Sequence, residues 1–149
     1  MKKLYGIDVG GTTVKMGLFS EDGELIEKWE ITTRTEENGK YILEDIAEAI
    51  KENIEKHQIS KEDLAGVGVG VPGAVLDFTK VNECVNLGWG SVDVGKELSE
   101  RVECPVRVSN DANVAALGEL WTGAAADYKD AVMVTLGTGV GGGIIIDGH

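Results

Sequence analysis

Three short stretches carry residue types and spacings suited to handling a hydroxyl group and a phosphate. The first is Asn110-Asp111-Ala112-Asn113. It follows the apolar run Val106-Arg107-Val108 and opens a helix-like segment, Val114-Ala115-Ala116-Leu117-Gly118-Glu119-Leu120-Trp121. A carboxylate at such a strand-to-helix junction stands near the positive end of the helix dipole, which stabilises negative charge. At the lip of a cleft, Asp111 could take a proton from a hydroxyl group. Taken alone, Asn110 and Asp111 also read as an ordinary helix cap, because caps of this type are strongly preferred.

The second stretch, Asp8-Val9-Gly10-Gly11-Thr12-Thr13, places an acid at a strand end, then two glycines, then two hydroxyls. Glycines let the backbone approach phosphate oxygens, and successive N–H groups and threonine hydroxyls donate to them. Asp8 could hold a magnesium ion through water, because that ion keeps much of its hydration shell. Lys15 could neutralise charge if it points into the cleft. The third stretch, from Thr135 to Gly142, offers the same chemistry through Gly137, Thr138, Gly139, Val140, Gly141 and Gly142. An ordinary hairpin turn is the competing reading for both. A pair of such turns, one per lobe, would clamp a nucleotide between them.

Better-known nucleotide fingerprints do not fit. Gly68 to Gly73 and Gly137 to Gly142 both match G-x-G-x-x-G. A dinucleotide site needs those glycines to open a helix after a strand. The first runs into Pro72 and an irregular loop; the second leads into Ile144-Ile145-Ile146, which reads as a strand. Gly6 and Gly11 have P-loop spacing, but Thr12-Thr13 stands where Lys-Ser/Thr is required.

The elements that must position these stretches follow from periodicity. Leu4 to Val9, Val14 to Phe19 and Leu25 to Thr33 read as an antiparallel meander, with Asp22-Gly23 as a turn signal. On the third strand Leu25, Glu27, Trp29 and Ile31 share one face. Thr35 to Gly39 is loop-like. Ile42, Ile46, Ala49, Ile50 and Ile54 fall at helical spacing, opposite Glu44, Glu48, Lys51, Glu52 and Glu55. His57 is expected to be a polar helix end rather than a ligand. Ala65 to Val71 alternates Gly and Val and suits a central strand; strand, helix, strand signals a parallel crossover. Asp77 to Gly90 looks irregular and Ser91 to Arg101 helical. A strand from Val106 to Ser109 leads into the Asn110 helix, which ends at Gly123. Ala131 to Leu136 and Ile144 to Ile146 form a last hairpin resembling the first, a weak internal repeat. The expected division is an N-terminal lobe over 1–123, then a connector and the first hairpin of a second lobe over 124–149.

Composition narrows the classes. A chain of 149 residues fits one domain or one lobe of a larger protein. The net charge of −12 argues against broad contact with nucleic acid and against docking on anionic membranes. It still permits a nucleotide bound by local backbone N–H groups. Cys84 and Cys104 lack the spacing of a zinc pair. With no long apolar stretch at the start, a cytoplasmic protein with reduced thiols is expected. The apolar hairpin from Ala131 to Ile146 would present an unpaired edge, so pairing with a second copy, as a homodimer or a swapped assembly, is expected.

In order along the chain, Asp8-x-Gly10-Gly11-Thr12-Thr13-x-Lys15, Gly70-Val71-Pro72-Gly73, Asn86-Leu87-Gly88-Trp89, Asn110-Asp111-Ala112-Asn113 and Leu136-Gly137-Thr138-Gly139-Val140-Gly141-Gly142 resemble the bacterial ROK family of sugar kinases and repressors, most of all its glucokinases. The resemblance runs along essentially the whole chain. It implies an α/β fold of the actin-like, ribonuclease H-like ATPase type with a mixed sheet. It implies ATP-dependent phosphorylation of glucose, or of another hexose or N-acetylhexosamine. Asp111 would be the general base, with Asn110 hydrogen-bonding the sugar and Gly73 and Asn86 as lesser sugar contacts. Asp8 would serve magnesium, and the two glycine turns would bind ATP. Family kinases are roughly twice this long. A sugar-gripping Gly-Glu-x-Gly-His stretch, a zinc cluster and most of the adenine pocket are expected beyond residue 149. A weakly active or inactive chain is therefore expected. The start at the first strand, without a helix-turn-helix, favours a kinase over a sugar-sensing repressor domain.

Overall fold

The computed structural model describes residues 1–137 and 139–149, so the phosphate role expected of Thr138 lies outside the described residues. The chain forms two compact units, Met1–Ser109 and Asn110–His149.

The first unit contains, in chain order, β1 (Lys3–Val9), β2 (Thr13–Ser20), β3 (Leu25–Thr32), α1 (Glu36–Gly39), α2 (Ile42–His57), β4 (Leu64–Val71), β5 (Val75–Leu76), β6 (Lys80–Val81), β7 (Val92–Asp93), α3 (Val94–Val102) and β8 (Val106–Asn110), whose last residue opens the second unit. Five strands form a mixed sheet in the order β3-β2-β1-β4-β8. The opening meander is antiparallel, and β4 returns parallel to β1 after the α2 crossover. Registers pair Asp8 with Lys15 on one side and with Gly70 on the other.

Alternation along the strands builds the core and leaves Asp8 out of it. Tyr5, Ile7 and Val9, then Val14, Met16 and Leu18, then Val67, Val69 and Val71, are all buried. Successive side chains on a strand point to opposite faces, so Asp8, between Ile7 and Val9, is exposed. Ile42, Ile46 and Ile50 of α2 join the same core. Their four-residue spacing puts them on one helix face, while Glu44, Glu48, Lys51, Glu52 and Glu55 face water.

His57 has a partner. Its Nε2 lies 2.6 Å from Glu27 Oε2, Lys56 Nζ lies 2.6 Å from Glu27 Oε1, and Asn53 Nδ2 donates to Glu27 Oε2 at 2.9 Å. Asn53 Oδ1 in turn accepts from the buried Tyr5 hydroxyl at 3.0 Å. The hydrogen bonds from Lys56 first, then from His57 and Asn53, pull the Glu27 carboxyl down from its ordinary 4.5 to about 2. A carboxyl depressed on folding contributes stability above its unfolded value and loses it as pH falls through the folded one. The thermal midpoint is therefore expected to drop as pH falls from about 4.5 towards about 2. Glu27→Gln should flatten that part of a midpoint-versus-pH curve. Parallel curves for the two proteins would refute the assignment.

Three sequence expectations change here. Asp77 to Gly90 is not simply irregular: it carries β6, which joins β5 before it and β7 after it in a small antiparallel sheet of order β5-β6-β7, and a 3-10 turn spans Val85–Leu87. Strands of two residues are too short to show periodicity. The helix expected from Ser91 begins at Val94, because Asp93 caps it by accepting from Lys96 N at 3.1 Å. The loop over Thr35 to Gly39 closes into one distorted turn, α1, with Glu37 and Asn38 at φ 52° and 60°.

The second unit holds α4 (Asp111–Thr122) and the antiparallel hairpin of β9 (Ala131–Leu136) and β10 (Val140–Ile145). Ala112 and Ala116 are buried against β10. A Cβ on Gly143 would fall 2.6 Å from Ala116 Cβ and 2.9 Å from Ala112 O, and one on Gly141 would fall 3.2 Å from Ala112 Cβ. This close approach groups α4 with the hairpin in the second unit. The opposite face of the hairpin is apolar and exposed: Val132, Val134, Leu136, Val140 and Ile144. Among the described residues, no helix is long and apolar enough to cross a membrane.

Candidate active site

In the first unit the Gly10–Thr13 turn is closed by Gly10 N donating to Thr13 O at 3.0 Å. The chain after β3 braces it. Thr33 N donates to Thr12 O at 2.9 Å, and the buried Thr33 donates through Oγ1 to Gly10 O at 2.7 Å. Gly11 and Thr12 are left exposed, as are Asp8 and Lys15 on the strands that feed the turn. Thr33 carries no signal in the sequence, because its partners are some twenty residues away.

Two further predicted residues arrive at the same turn. Asn86 sits in a loop closed by a pair of hydrogen bonds between Cys84 and Trp89, N to O at 3.0 and 3.1 Å in the two directions. A Cβ built on Gly11 would lie 3.5 Å from Asn86 O and 3.7 Å from Asn86 Cβ. Gly73 meets the start of that loop: a Cβ there would stand 2.9 Å from Glu83 O, and Cys84 Sγ donates to Pro72 O at 3.6 Å. The first unit thus brings the glycine turn, Asn86 and Gly73 together, with Asp8 and Lys15 on the adjoining strand ends.

The donor set around Asp8 suits magnesium and not a protein-caged metal. Among the described residues no cluster of three or more His, Cys, Asp or Glu side chains is poised to hold an ion. Magnesium is ordinarily held by one or two carboxylates together with water and substrate phosphates. One exposed carboxylate beside a phosphate-type turn meets that requirement.

In the second unit the structure shows the helix-cap reading of Asn110-Asp111 directly. Asn110 is the N-cap, extended at φ −64° and ψ 142°, and its side chain accepts from Ala112 N at 3.1 Å. Asp111 Oδ1 accepts from the same N–H at 2.8 Å. The Asp111 side chain is exposed at the positive end of a helix of 12 residues. Ala112, the next residue, packs on Gly141, so Asp111 begins the turn of helix that touches the glycine strand. The glycine turn itself closes by Gly137 N donating to Gly139 O at 2.9 Å, and Gly137, Gly139, Val140 and Gly142 are exposed. Glycine is required at 141 and 143 for helix packing, a cause separate from phosphate binding. Gly143 was missed because that need arises only once α4 is docked.

Comparison with known proteins adds three findings. The ROK family profile matches residues 4–149. The chain is 45% identical to a glucokinase of Halalkalibacterium halodurans over 97% of its own length and 44% of the relative. It superposes with a TM-score of 0.85 and 35% identity on a ROK family glucokinase from Streptomyces griseus solved with glucose and AMPPNP, covering 99% of this chain and 45% of that one. It is also 30% identical to a xylose repressor of Caldicellulosiruptor bescii, over 97% of this chain and 36% of the repressor. The chain spans less than half the length of these relatives.

Proposed function

The chain belongs to the ROK family, and on that premise we propose that it carries the base-bearing portion of a hexokinase-type site that phosphorylates glucose from ATP. Its mixed α/β sheet is that of ROK sugar kinases, the actin-like ATPase fold. The observation that carries the proposal is the placement of Asp111: an exposed carboxylate opening a helix whose next residue packs on the strand leaving a glycine turn.

In the proposed reaction Asp111 accepts the proton of the sugar 6-hydroxyl as that oxygen attacks the γ-phosphorus of ATP. The bond from the γ-phosphorus to the bridging oxygen breaks, releasing ADP and leaving glucose 6-phosphate. Asn110 orients the sugar, with Asn86 and Gly73 as lesser contacts. Gly10 to Thr13 and Gly137 to Gly142 supply backbone N–H groups to the phosphates, and Lys15 adds positive charge. A magnesium ion accompanying ATP and held through Asp8 would neutralise phosphate charge. Phosphoryl transfer depends mainly on such positioning and electrostatics. Glucose and ATP are favoured because the Streptomyces griseus relative was solved with glucose and AMPPNP.

A coupled ADP-release assay with and without glucose tests the reading. The 149 residues by themselves should turn over weakly or not at all, since the relatives are more than twice as long. The chain completed by the remainder of the Halalkalibacterium halodurans glucokinase should release ADP in a glucose-dependent way. Glucose binding without ADP release by that completed chain would point instead to a sugar sensor, as in the family's repressors.

We also propose that the hairpin pairs with a second copy. Its face of Val132, Val134, Leu136, Val140 and Ile144 is 60–81% exposed, and apolar strands with open edges invite such pairing. Sedimentation equilibrium should show a dimer. A strict monomer at high concentration would overturn the pairing.

A further inference from the structure

Trp89 and Gly39 form a contact that neither the phosphate turn nor the base explains. Trp89 is 5% exposed, and its indole Nε1 donates to Gly39 O at 3.0 Å across fifty residues of chain. Gly39 sits at φ 67°, where a Cβ would collide with the Leu87 carbonyl oxygen and stand 2.8 Å from Trp89 Nε1. The approach is reciprocal: a Cβ on Gly88, at φ 76°, would lie 3.2 Å from Asn38 Cα. The α1 turn is therefore seated directly on the Cys84–Trp89 loop. That loop carries Asn86, whose backbone faces Gly11. Within the loop, Leu87 N donates to Cys84 O and Gly88 N to Val85 O, each at 3.1 Å. Asn86 itself is exposed at the loop tip, and the loop that carries it is anchored at Cys84 and Trp89.

We infer that the hydrogen bond from Trp89 to Gly39 is a latch that sets the position of Asn86 beside the phosphate turn, making Trp89 a positioning residue for the sugar. This inference rests on the proposed role of Asn86 in sugar binding. An indole N–H buried against a backbone carbonyl fixes both partners, because breaking the bond would leave two polar groups buried without a partner. Gly39 has to be glycine both for its left-handed backbone and for the close approach of Leu87 O.

Trp89→Phe keeps a buried ring and removes the N–H. In the 149-residue chain, the amides of Cys84, Leu87, Gly88 and Trp89 should exchange with solvent about five- to tenfold faster, the scale of one lost hydrogen bond. Amides of β1, β2 and β4 should keep their rates. In the chain completed with the remainder of the Halalkalibacterium halodurans glucokinase, glucose titrated while backbone amide shifts are followed should bind about tenfold more weakly at Asn86. ATP-induced shifts from Asp8 to Lys15 should stay unchanged. Gly39→Ala breaks the same latch from its other partner and should give the same local pattern. Unchanged exchange at those four amides in both variants would overturn the latch. So would equal acceleration throughout the sheet, which would mean that Trp89 only fills the core. Failure of glucose to shift Asn86 in the unsubstituted completed chain would overturn the sugar reading of Asn86, while the exchange pattern in the 149-residue chain would still decide the latch.

Discussion

Gly143→Val is expected to loosen the second unit by about 1–3 kcal/mol, the cost of overpacking a closely fitted contact. The added Cβ would land 2.6 Å from Ala116 Cβ and 2.9 Å from Ala112 O. Neither neighbour can yield by changing rotamer: one is a methyl fixed to the helix backbone and the other is the backbone itself. α4 must back away from β10, and its first turn, which begins with Asp111, moves with it. Urea unfolding should show the loss, and hydrogen exchange should place it at α4, β9 and β10 with β1, β2 and β4 spared. Ala116→Gly in the same chain should recover part of it, since residues in contact are coupled. Unchanged stability in Gly143→Val would mean that helix and hairpin do not meet as closely as the structure has them.

How much of this was legible in the sequence depended on how local the cause was. The hairpin around Gly10 to Thr13 was, because two alternating runs flank a glycine turn, and β1 and β2 form there. The α2 face was, because Ile42, Ile46 and Ile50 repeat at helical spacing and are all buried. The Asn110 cap was, because the residue and its acceptor role lie within one turn. Less legible were effects that need two distant segments in place. The seat of α1 on the Asn86 loop joins residues fifty positions apart. Thr33 bracing Gly10 spans 23 positions. The two-residue strands β5, β6 and β7 exist only as partners of one another. The glycines after Gly139 show the limit most clearly. The run to Gly142 reads as one phosphate device, yet Gly141 and the following Gly143 face α4 while Gly142, between them, is exposed.

Asp111→Asn is expected to have the largest effect on activity. The amide is nearly isosteric with the carboxylate and can still accept from Ala112 N, which Asp111 Oδ1 now does at 2.8 Å. Asn110 remains as the helix cap, so the start of α4 should survive. What is lost is the group proposed to take the hydroxyl proton, and a general base contributes typically about 10²–10⁴-fold. The loss should fall on kcat, with a much smaller change in the KM for glucose, because the amide can still hydrogen-bond the sugar. Asn110→Ala should behave differently. It removes a cap worth about 1 kcal/mol of stability and should raise the KM for glucose. The decisive comparison is glucose-dependent ADP release by the chain completed with the remainder of the Halalkalibacterium halodurans glucokinase, with and without Asp111→Asn. We predict that kcat falls about 10²–10⁴-fold while the thermal midpoint stays close to that of the unsubstituted protein. A folded Asp111→Asn protein that keeps most of its kcat would show that Asp111 is a helix-start residue and that the proton goes elsewhere.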